Sequence, residues 1–202
     1  VKTLSHLLYP GKFKWITSHP ENPFQSTRLL VFMNHTSLYE PIFMQAFPYS
    51  YLWHLARVLN VPGADVTLER PIVGAFYKLM IPNVVGITRK KDASWDKYLN
   101  TIGPDSVVII APEGRMKRPG GLDKFGKPMN VKGGVADIIA SMREGGMVLC
   151  FSGGLHHIQI PGQHVPKFFK PISMNLAHFD ITEYLKQFEG EGREQKLQIV
   201  QD

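Results

Sequence analysis

A histidine and a glutamate stand five positions apart in residues 34–40 (NHTSLYE), directly after an apolar run. If that run is a strand and a helix follows, Glu40 lies about one turn beyond His35, where its carboxylate reaches one imidazole nitrogen. The contact would fix the tautomer of His35 and stabilise its protonated form, leaving the other nitrogen as a general base. Alternatively, His35 lies at the helix start with its ring bonded to a carbonyl oxygen.

A second group of reactive side chains follows another apolar run, in residues 111–118 (APEGRMKR). The proline and glycine on either side of Glu113 predict a tight turn. Backbone N–H groups near Gly114 and a cationic rim suit such a turn to holding an anion. The alternative interpretation is a solvated basic loop. The cations of the rim are Arg115, Lys117 and Arg118.

A third, basic group in residues 88–91 (TRKK) includes Arg89 and also follows an apolar run. Because the carboxyl ends of parallel strands meet at one edge of a sheet, His35 and the two basic groups are expected to share one crevice.

Five other side chains give weaker signals. A zinc site is not predicted, because no acidic partner and no His-Glu-x-x-His pattern accompanies the nearby histidines. Ser152 lacks the Gly-x-Ser-x-Gly pattern of serine hydrolases, since position 150 is a cysteine. Cys150 lies in an apolar run and is expected to be a buried small side chain. The histidines are His156, His157 and His164.

Short apolar runs alternate with helical patterns, which predicts an α/β fold whose mixed, largely parallel sheet is flanked by helices. No repeat or composition shift divides the chain, so one domain is expected over residues 1–202. Its core would span about 28–188, and the polar tail 189–202 would be mobile. Strands are predicted at 28–33, 51–58, 84–88, 106–111, 147–151 and 166–175, and helices at 39–47, 72–80, 133–142 and 180–188.

Composition and charge restrict the class of protein. The 202 residues carry a formal net charge of +6, 44% are hydrophobic and one is cysteine. These values exclude a disordered chain and a disulfide framework, and they favour phosphate-bearing partners. No nucleic acid partner is expected, because the cations cluster at strand ends without interleaved aromatic side chains. The Gly-rich patterns of nucleotide-binding loops are absent from the sequence.

The apolar segment 71–88 carries only one charge, Lys78. It predicts either a buried core helix with its loop or an interfacial, acyl-chain-facing segment. No uninterrupted run of 18 apolar residues predicts a membrane-spanning helix.

In their order and spacing, these blocks resemble the signature of the glycerolipid acyltransferase superfamily, which includes the lysophosphatidic acid acyltransferases. Residues 34–40 (NHTSLYE) resemble its N-H-x4-D block, 85–89 (VGITR) its G-x-x-x-x-R block, and 112–114 (PEG) its F-P-E-G-T-R-S block. Later features of the family are similar to 132–134 (KGG) and 170–172 (KPI). Two departures stand out: Glu40 replaces the usual aspartate, and Arg115 stands one position early, so Arg118 is a second candidate for its role.

The resemblance implies an O-acyltransferase that moves a fatty acyl group from acyl-CoA or acyl-carrier protein to a hydroxyl of a lysophospholipid or related glycerolipid. His35 would be the general base, oriented by Glu40, and amides near Gly114 would stabilise the oxyanion. Glu113 would organise the loop or bind the glycerol hydroxyl. No metal or cofactor is required. The acceptor's anionic head group would be bound by Arg89 and Arg115, with Lys117 and Arg118.

The resemblance also implies a location. Basic charge and the apolar residues 72–81 would hold a monomeric, peripheral enzyme on the anionic cytoplasmic face of a membrane. Because the chain begins at Val1 rather than methionine, processing or a lost N-terminal anchor is expected. Two other classes stay open: a catalytically silent lipid-binding module, and a thioesterase that uses the same pair on water.

Overall fold

The computed structural model describes residues 1–37, 39–81, 83–88, 92–118, 120–160, 162–163, 165–188, 190 and 192–202. Over these residues the chain forms a seven-stranded sheet in the order β1-β7-β6-β2-β5-β3-β4. Neighbouring strands are parallel except β6 and β7, which are antiparallel. The predicted α/β fold with a mixed, largely parallel sheet in a single domain is therefore confirmed. The strands are β1 (Gly11–Trp15), β2 (Thr27–Met33), β3 (Leu59–Ala64), β4 (Asn83–Ile87), β5 (Val107–Ile110), β6 (Gly146–Gly153) and β7 (Ile172–Asp180).

Helices cover both faces of the sheet. One face packs against the aromatic core around Phe43, Phe47 and Tyr51, and the other packs against the core around Ile138 and Ile139. The helices are α1 (Lys2–Leu8), a 3₁₀ helix (Glu40–Ala46), α2 (Tyr49–Val58), α3 (Asp65–Leu68), α4 (Pro71–Met80), α5 (Ser94–Leu99), α6 (Gly134–Met142), α7 (Leu155–Ile158), α8 (Ile181–Leu185) and α9 (Arg193–Gln201).

The central strand β2 is buried on both of its faces. Leu30 and Phe32 point into the first core, while Leu29 and Val31 point into the second, as the two-residue period of a strand requires. A strand that helices cover on both sides has apolar residues at nearly every position, so it can be recognised in the sequence. The structure confirms the strand predicted at 28–33. The chain leaves β2 after Met33, so the residues that follow lie at the carboxyl edge of the sheet, beside the end of β5.

Two predicted strands are wrong. Residues 51–58 belong to helix α2, where Tyr51 and Leu55 are buried one turn apart while Trp53 is exposed. The strand comes directly afterwards, as β3. The last strand begins at Ile172 rather than at 166, because the prolines at 166 and 171 lack the N–H that a ladder needs.

Both ends of the chain are more ordered than expected. The expected mobile tail instead contains helix α9, which buries Ile199 and pairs Lys196 with Asp137. The N-terminal residues lie outside the predicted core, yet they form α1 and the edge strand β1, which pairs with β7. A mostly polar sequence therefore forms a helix, which Ile199, Val200 and the Lys196–Asp137 ion pair fix to the domain.

Helix α4 begins at Pro71, as predicted, but it is not a buried core helix. Of its residues, Gly74 is buried. It packs so closely against the backbone of Leu68 that a Cβ there would collide with the Leu68 carbonyl oxygen. Ile72 and Leu79 are each 85% exposed. The interfacial interpretation of this segment stays a prediction. Among the described residues, no helix combines the length and the apolar character needed to cross a bilayer.

Candidate active site

The structure brings His35 and Glu40 together. Nδ1 of His35 lies 2.8 Å from Oε1 of Glu40, so the contact expected from their spacing is present. A 3₁₀ helix, rather than an α-helix, begins at Glu40 and turns its carboxylate back toward the ring. The two side chains are 20% and 16% exposed, so the pair is sheltered but reachable from solvent.

The surroundings of His35 make its imidazole more basic. Burial alone would lower the pKa of His35, but the charge and hydrogen bond of Glu40 raise it, and the charge of Glu113 adds to that effect. The net result is a pKa above the usual 6.5. A more basic imidazole accepts a proton more readily when it is neutral, although it is neutral over a narrower pH range.

Glu113 fastens the loop that carries His35. Its Oε1 accepts the backbone N–H of Asn34 at 3.1 Å, and its Oε2 accepts that of His35 at 2.9 Å. The side chain is buried and comes from the segment after β5, so it joins the ends of two neighbouring strands. With both oxygens bonded to backbone, the structure favours the loop-organising role of Glu113 over the binding of a substrate hydroxyl.

Further hydrogen bonds hold the same loop from the side of β6. Asn34 adopts a positive φ of 64°, which is uncommon for a residue with a side chain. Its Nδ2 donates to the carbonyl oxygen of Ser152 at 3.4 Å, and Oγ of Ser152 donates to the carbonyl oxygen of Met33 at 2.8 Å. Ser152 is thus a scaffold residue at the end of β6.

Arg115 forms an ion pair with Asp123. Asp123 also accepts the backbone N–H groups of Lys127 at 2.9 Å and Phe125 at 2.7 Å. The bond from Lys127, together with those from Arg115 and Phe125, outweighs the effect of burial and lowers the pKa of Asp123 to about 2. The structure therefore gives Arg115 a part in folding its own loop, which is a different role from the expected contact with substrate.

Lys117 lies beside the His35 loop, as the described residues show. Its backbone N–H donates to the carbonyl oxygen of His35 at 2.7 Å, and its Nζ lies 3.4 Å from Oδ1 of Asn34. Arg118 is exposed, and its N–H donates to the carbonyl oxygen of Leu122. Arg89 lies outside the described residues, so its predicted role stays a prediction.

Gly114 adopts a φ of 66°, which a turn needs and other residues rarely adopt. Its N–H donates to the carbonyl oxygen of Ala111 at 3.0 Å and closes that turn. Amides near Gly114 were expected to stabilise an oxyanion, and that role stays a prediction.

Two contributors to the site had no clear signal in the sequence. Tyr77, on the inner side of α4, has its pKa raised to about 12 by burial and then by the charge of Glu40, which places it near that carboxylate. Asp123 lies buried in the basic loop. Its position as the sole acid among the cations of residues 115–127 was the available hint.

In the described part of the chain, the remaining candidates do not form a recognisable catalytic or metal-binding group. His156 and His157 are exposed, with ring centroids 3.9 Å apart, and no metal-binding group of His, Cys, Asp and Glu occurs among the described residues. His164 lies outside them. Cys150 is fully buried, which raises the pKa of its thiol and makes it unreactive.

Comparisons with known proteins agree with the fold and the motifs. Among solved structures, the chain is similar to the 1-acyl-sn-glycerophosphate (LPA) acyltransferase PlsC from Thermotoga maritima, with a TM-score of 0.52 and 16% sequence identity. That match covers 94% of this chain and 69% of the other. A search of curated proteins found no significant match. The sequence profile of the Acyltransferase family matches residues 15–160, which include His35, Glu40 and Glu113, and the chain therefore belongs to the Acyltransferase family.

Proposed function

We propose that this protein transfers a fatty acyl group from an acyl thioester to a hydroxyl of a lysophospholipid or related glycerolipid, with His35 as the general base. The family supplies the class of reaction. The observation that supports His35 is its 2.8 Å contact with Glu40, which commits Nδ1 and leaves Nε2 as the nitrogen that can take a proton.

In the proposed reaction, Nε2 of His35 removes the proton from the acceptor hydroxyl as its oxygen attacks the thioester carbonyl. The tetrahedral intermediate then collapses, the carbon–sulfur bond breaks, and the thiolate takes the proton back from the imidazolium. Glu40 stabilises the imidazolium during this cycle. The products are the acylated acceptor and the free thiol of CoA or of the carrier protein, so protons and charges balance without another group.

Binding of an anionic acceptor would fall to the cations at the same edge of the sheet. The structure supports Lys117 most directly, because its Nζ lies against Asn34, the neighbour of His35. Arg118 follows in the same exposed loop, and Arg89 follows β4 in sequence. The name of the similar Thermotoga maritima protein specifies a glycerophosphate acceptor, which agrees with a cationic crevice.

The test is transfer of a labelled acyl group from acyl-CoA, and separately from acyl-carrier protein, to a panel of lysophospholipids. Wild type is compared with His35→Ala, and His54→Ala, an exposed histidine of α2, serves as the matched control. We expect a diacyl product from wild type and from the control, and a loss of about 10²–10⁴ in rate for His35→Ala.

Two outcomes would contradict the proposal. Release of free fatty acid at the same rate with and without acceptor would indicate a thioesterase. No product from either donor, together with an intact fold and retained lipid binding, would indicate a silent lipid-binding module.

A further inference from the structure

An apolar surface lies exposed at the end of the sheet that carries β1. It is formed by α1 and by residues 165–170, and we call it the basic apolar surface. Large side chains that a soluble protein normally covers stand in solvent here, and a contiguous set of this kind marks an interaction site. They are Leu4, Leu7, Val165, Phe168 and Phe169, which are 59%, 74%, 74%, 50% and 71% exposed.

Charge on this surface has a single sign. Residues 1–20 and 154–172, which include this surface, contain no aspartate or glutamate. An apolar face rimmed by cations, without acids, fits a lipid surface that carries negative charge. The cations are Lys2, Lys12, Lys14, Lys167 and Lys170.

The two parts of the surface are fixed to each other. The N–H of Phe169 donates to the carbonyl oxygen of Leu8 at 2.9 Å, and the rings of Phe168 and Tyr9 stack with centroids 6.4 Å apart. Phe169 adopts a positive φ of 59°, which residues with side chains seldom adopt. Its exposed ring therefore belongs to a defined backbone shape that is tied to α1.

The surface lies at the same edge of the sheet as His35. Gly11 of β1 pairs with Ile172 of β7, and the next residue of β7 pairs with Gly153, at the end of β6. The end of β6 in turn pairs with Met33, just before the His35 loop. Three strand spacings, about 14 Å, separate β1 from β2 across this edge.

We propose that the basic apolar surface docks the protein on an anionic lipid bilayer. The aromatic and leucine side chains would enter the headgroup region, and the lysines would pair with lipid phosphates. The inference deepens the proposed function and rests on it for its purpose. A bilayer in contact with this edge would present lysophospholipid to the crevice that holds His35.

Helix α4 is the competing apolar surface. Ile72 and Leu79 are even more exposed there, but the charges on the helix and just before it have both signs. Asp65 and Glu69 are acidic, and Arg70 and Lys78 are basic. The α4 surface thus lacks the single-sign charge that an anionic bilayer attracts. For that reason α4 provides the matched control.

The experiment measures binding to vesicles of equal parts phosphatidylcholine and phosphatidylglycerol, with phosphatidylcholine vesicles as reference. Wild type should bind the anionic vesicles, and added salt should weaken the binding. Leu7→Gln/Phe169→Asn should bind at least about tenfold more weakly, and Lys167→Gln/Lys170→Gln should lose about fivefold per lysine. Ile72→Gln/Leu79→Gln should bind like wild type. Thermal unfolding confirms that each variant is folded.

Opposite results would overturn the docking proposal. These are weak binding by wild type, loss of binding only in the α4 variant, or a wild-type dimer that Leu7→Gln/Phe169→Asn dissociates without changing vesicle binding. Transfer to a water-soluble, short-chain acceptor separates the two proposals. If only the docking proposal fails, wild type acylates the soluble acceptor, but the surface variants bind vesicles as tightly as wild type does. If only the proposed function fails, the variants lose vesicle binding as expected, but wild type does not acylate the acceptor.

Discussion

The loops after β2 and β5 are both built on a pair of one carboxylate and one cation, and the two pairs differ in what surrounds them. His35 and Glu40 form the first, with both side chains partly exposed. Arg115 and Asp123 form the second, in which the carboxylate side chain is only 1% exposed. The remaining bonds of Asp123 go to the backbone of its own loop.

The cation decides what each pair can do. A guanidinium stays charged at every physiological pH, so the Arg115 pair cannot take part in acid–base chemistry. An imidazole gains and loses its proton near neutrality, so the His35 pair can carry out acid–base chemistry. Glu113 belongs to the second loop and bonds to the backbone of the first, so the architecture of one loop supports the chemistry of the other.

The largest effect is expected from removing the titrating member of the first pair. His35→Gln keeps a polar side chain but cannot act as a base, so acyl transfer should fall about 10²–10⁴-fold. Thermal unfolding should change little at pH 9 and more at pH 5, where the protonated imidazole of His35 stabilises the fold. Arg115→Gln is the counterpart. We expect it to lower the melting temperature more than His35→Gln does, and to lower the rate of acyl transfer less. Equal losses of rate in His35→Gln and Arg115→Gln would contradict the view that the first pair is chemical and the second structural.

The next effect concerns Glu40. Glu40→Gln should reduce the rate far more than Glu40→Asp, because only a carboxylate stabilises the imidazolium. It should also lower the pKa of His35, which Glu40 raises, so the acidic limb of the pH–rate profile should move to lower pH while the plateau falls. Equal rates for the glutamine and aspartate variants would exclude the proposed pairing.

The same variant has a predictable effect on stability. The pKa of His35 is higher in the folded than in the unfolded protein, so its protonation stabilises the fold. That contribution is fully present below the unfolded value of about 6.5 and disappears as the pH rises through the folded value. Unfolding of wild type and Glu40→Gln should therefore differ more at pH 5 than at pH 9.

Glu113→Gln should have an intermediate effect. A glutamine offers one acceptor oxygen, so one of the two backbone N–H groups of Asn34 and His35 loses its partner, at a cost of about 1–3 kcal/mol in unfolding free energy. We expect kcat to fall about tenfold with KM nearly unchanged, because the loop positions the base and does not bind the substrate.

The charge of Glu113 also raises the pKa of His35. The acidic limb of the pH–rate profile should therefore shift toward lower pH in Glu113→Gln, by less than in Glu40→Gln. A purely structural residue would leave the profile in place, and a rise in KM alone would favour a substrate-binding role.

The smallest effect on rate is expected from Asp123→Asn. Its carboxyl pKa of about 2 lies below the usual 3.8, so Asp123 contributes stability above the usual value and loses it as the pH falls through about 2. The variant should unfold at a lower temperature at neutral pH, and this acid-dependent part of its stability should be gone. Melting curves between pH 2 and 5 test it, and an unchanged acid profile would show that the carboxylate is not what holds the loop.

The parts of the site that could be predicted are those in which neighbours in sequence are neighbours in space. His35 and Glu40 are five residues apart, and the apolar run before them identifies a buried strand. By contrast, Glu113 accepts the backbone N–H of His35, 78 residues away in sequence. Every residue except proline has such an N–H, so no residue type in the His35 loop predicts that bond. The partner of Arg115 lies eight positions further on, beyond the range of local patterns.

The fold shows the same limit. Central strands were evident because burial on both faces leaves continuous apolar runs, as in β2 and β5. The sequence of helix α2 predicts a strand because its aromatic and branched side chains suit either element, and packing of Tyr51 onto Phe47 and Phe24 favours the helix. Helix α9 has too few apolar residues to be recognised before its contacts are known.

Strand β1 has a consequence for how the protein assembles during synthesis. It lies at the edge of the sheet and pairs with β7, whose residues 172–180 are made more than 150 residues later. Although β1 precedes the other strands of this sheet in the chain, it is therefore among the last to be placed, after β2, β3, β4, β5 and β6 are complete in sequence. Until then α1 has no folded edge to pack against, and a chaperone or a nearby membrane can bind its exposed leucines first.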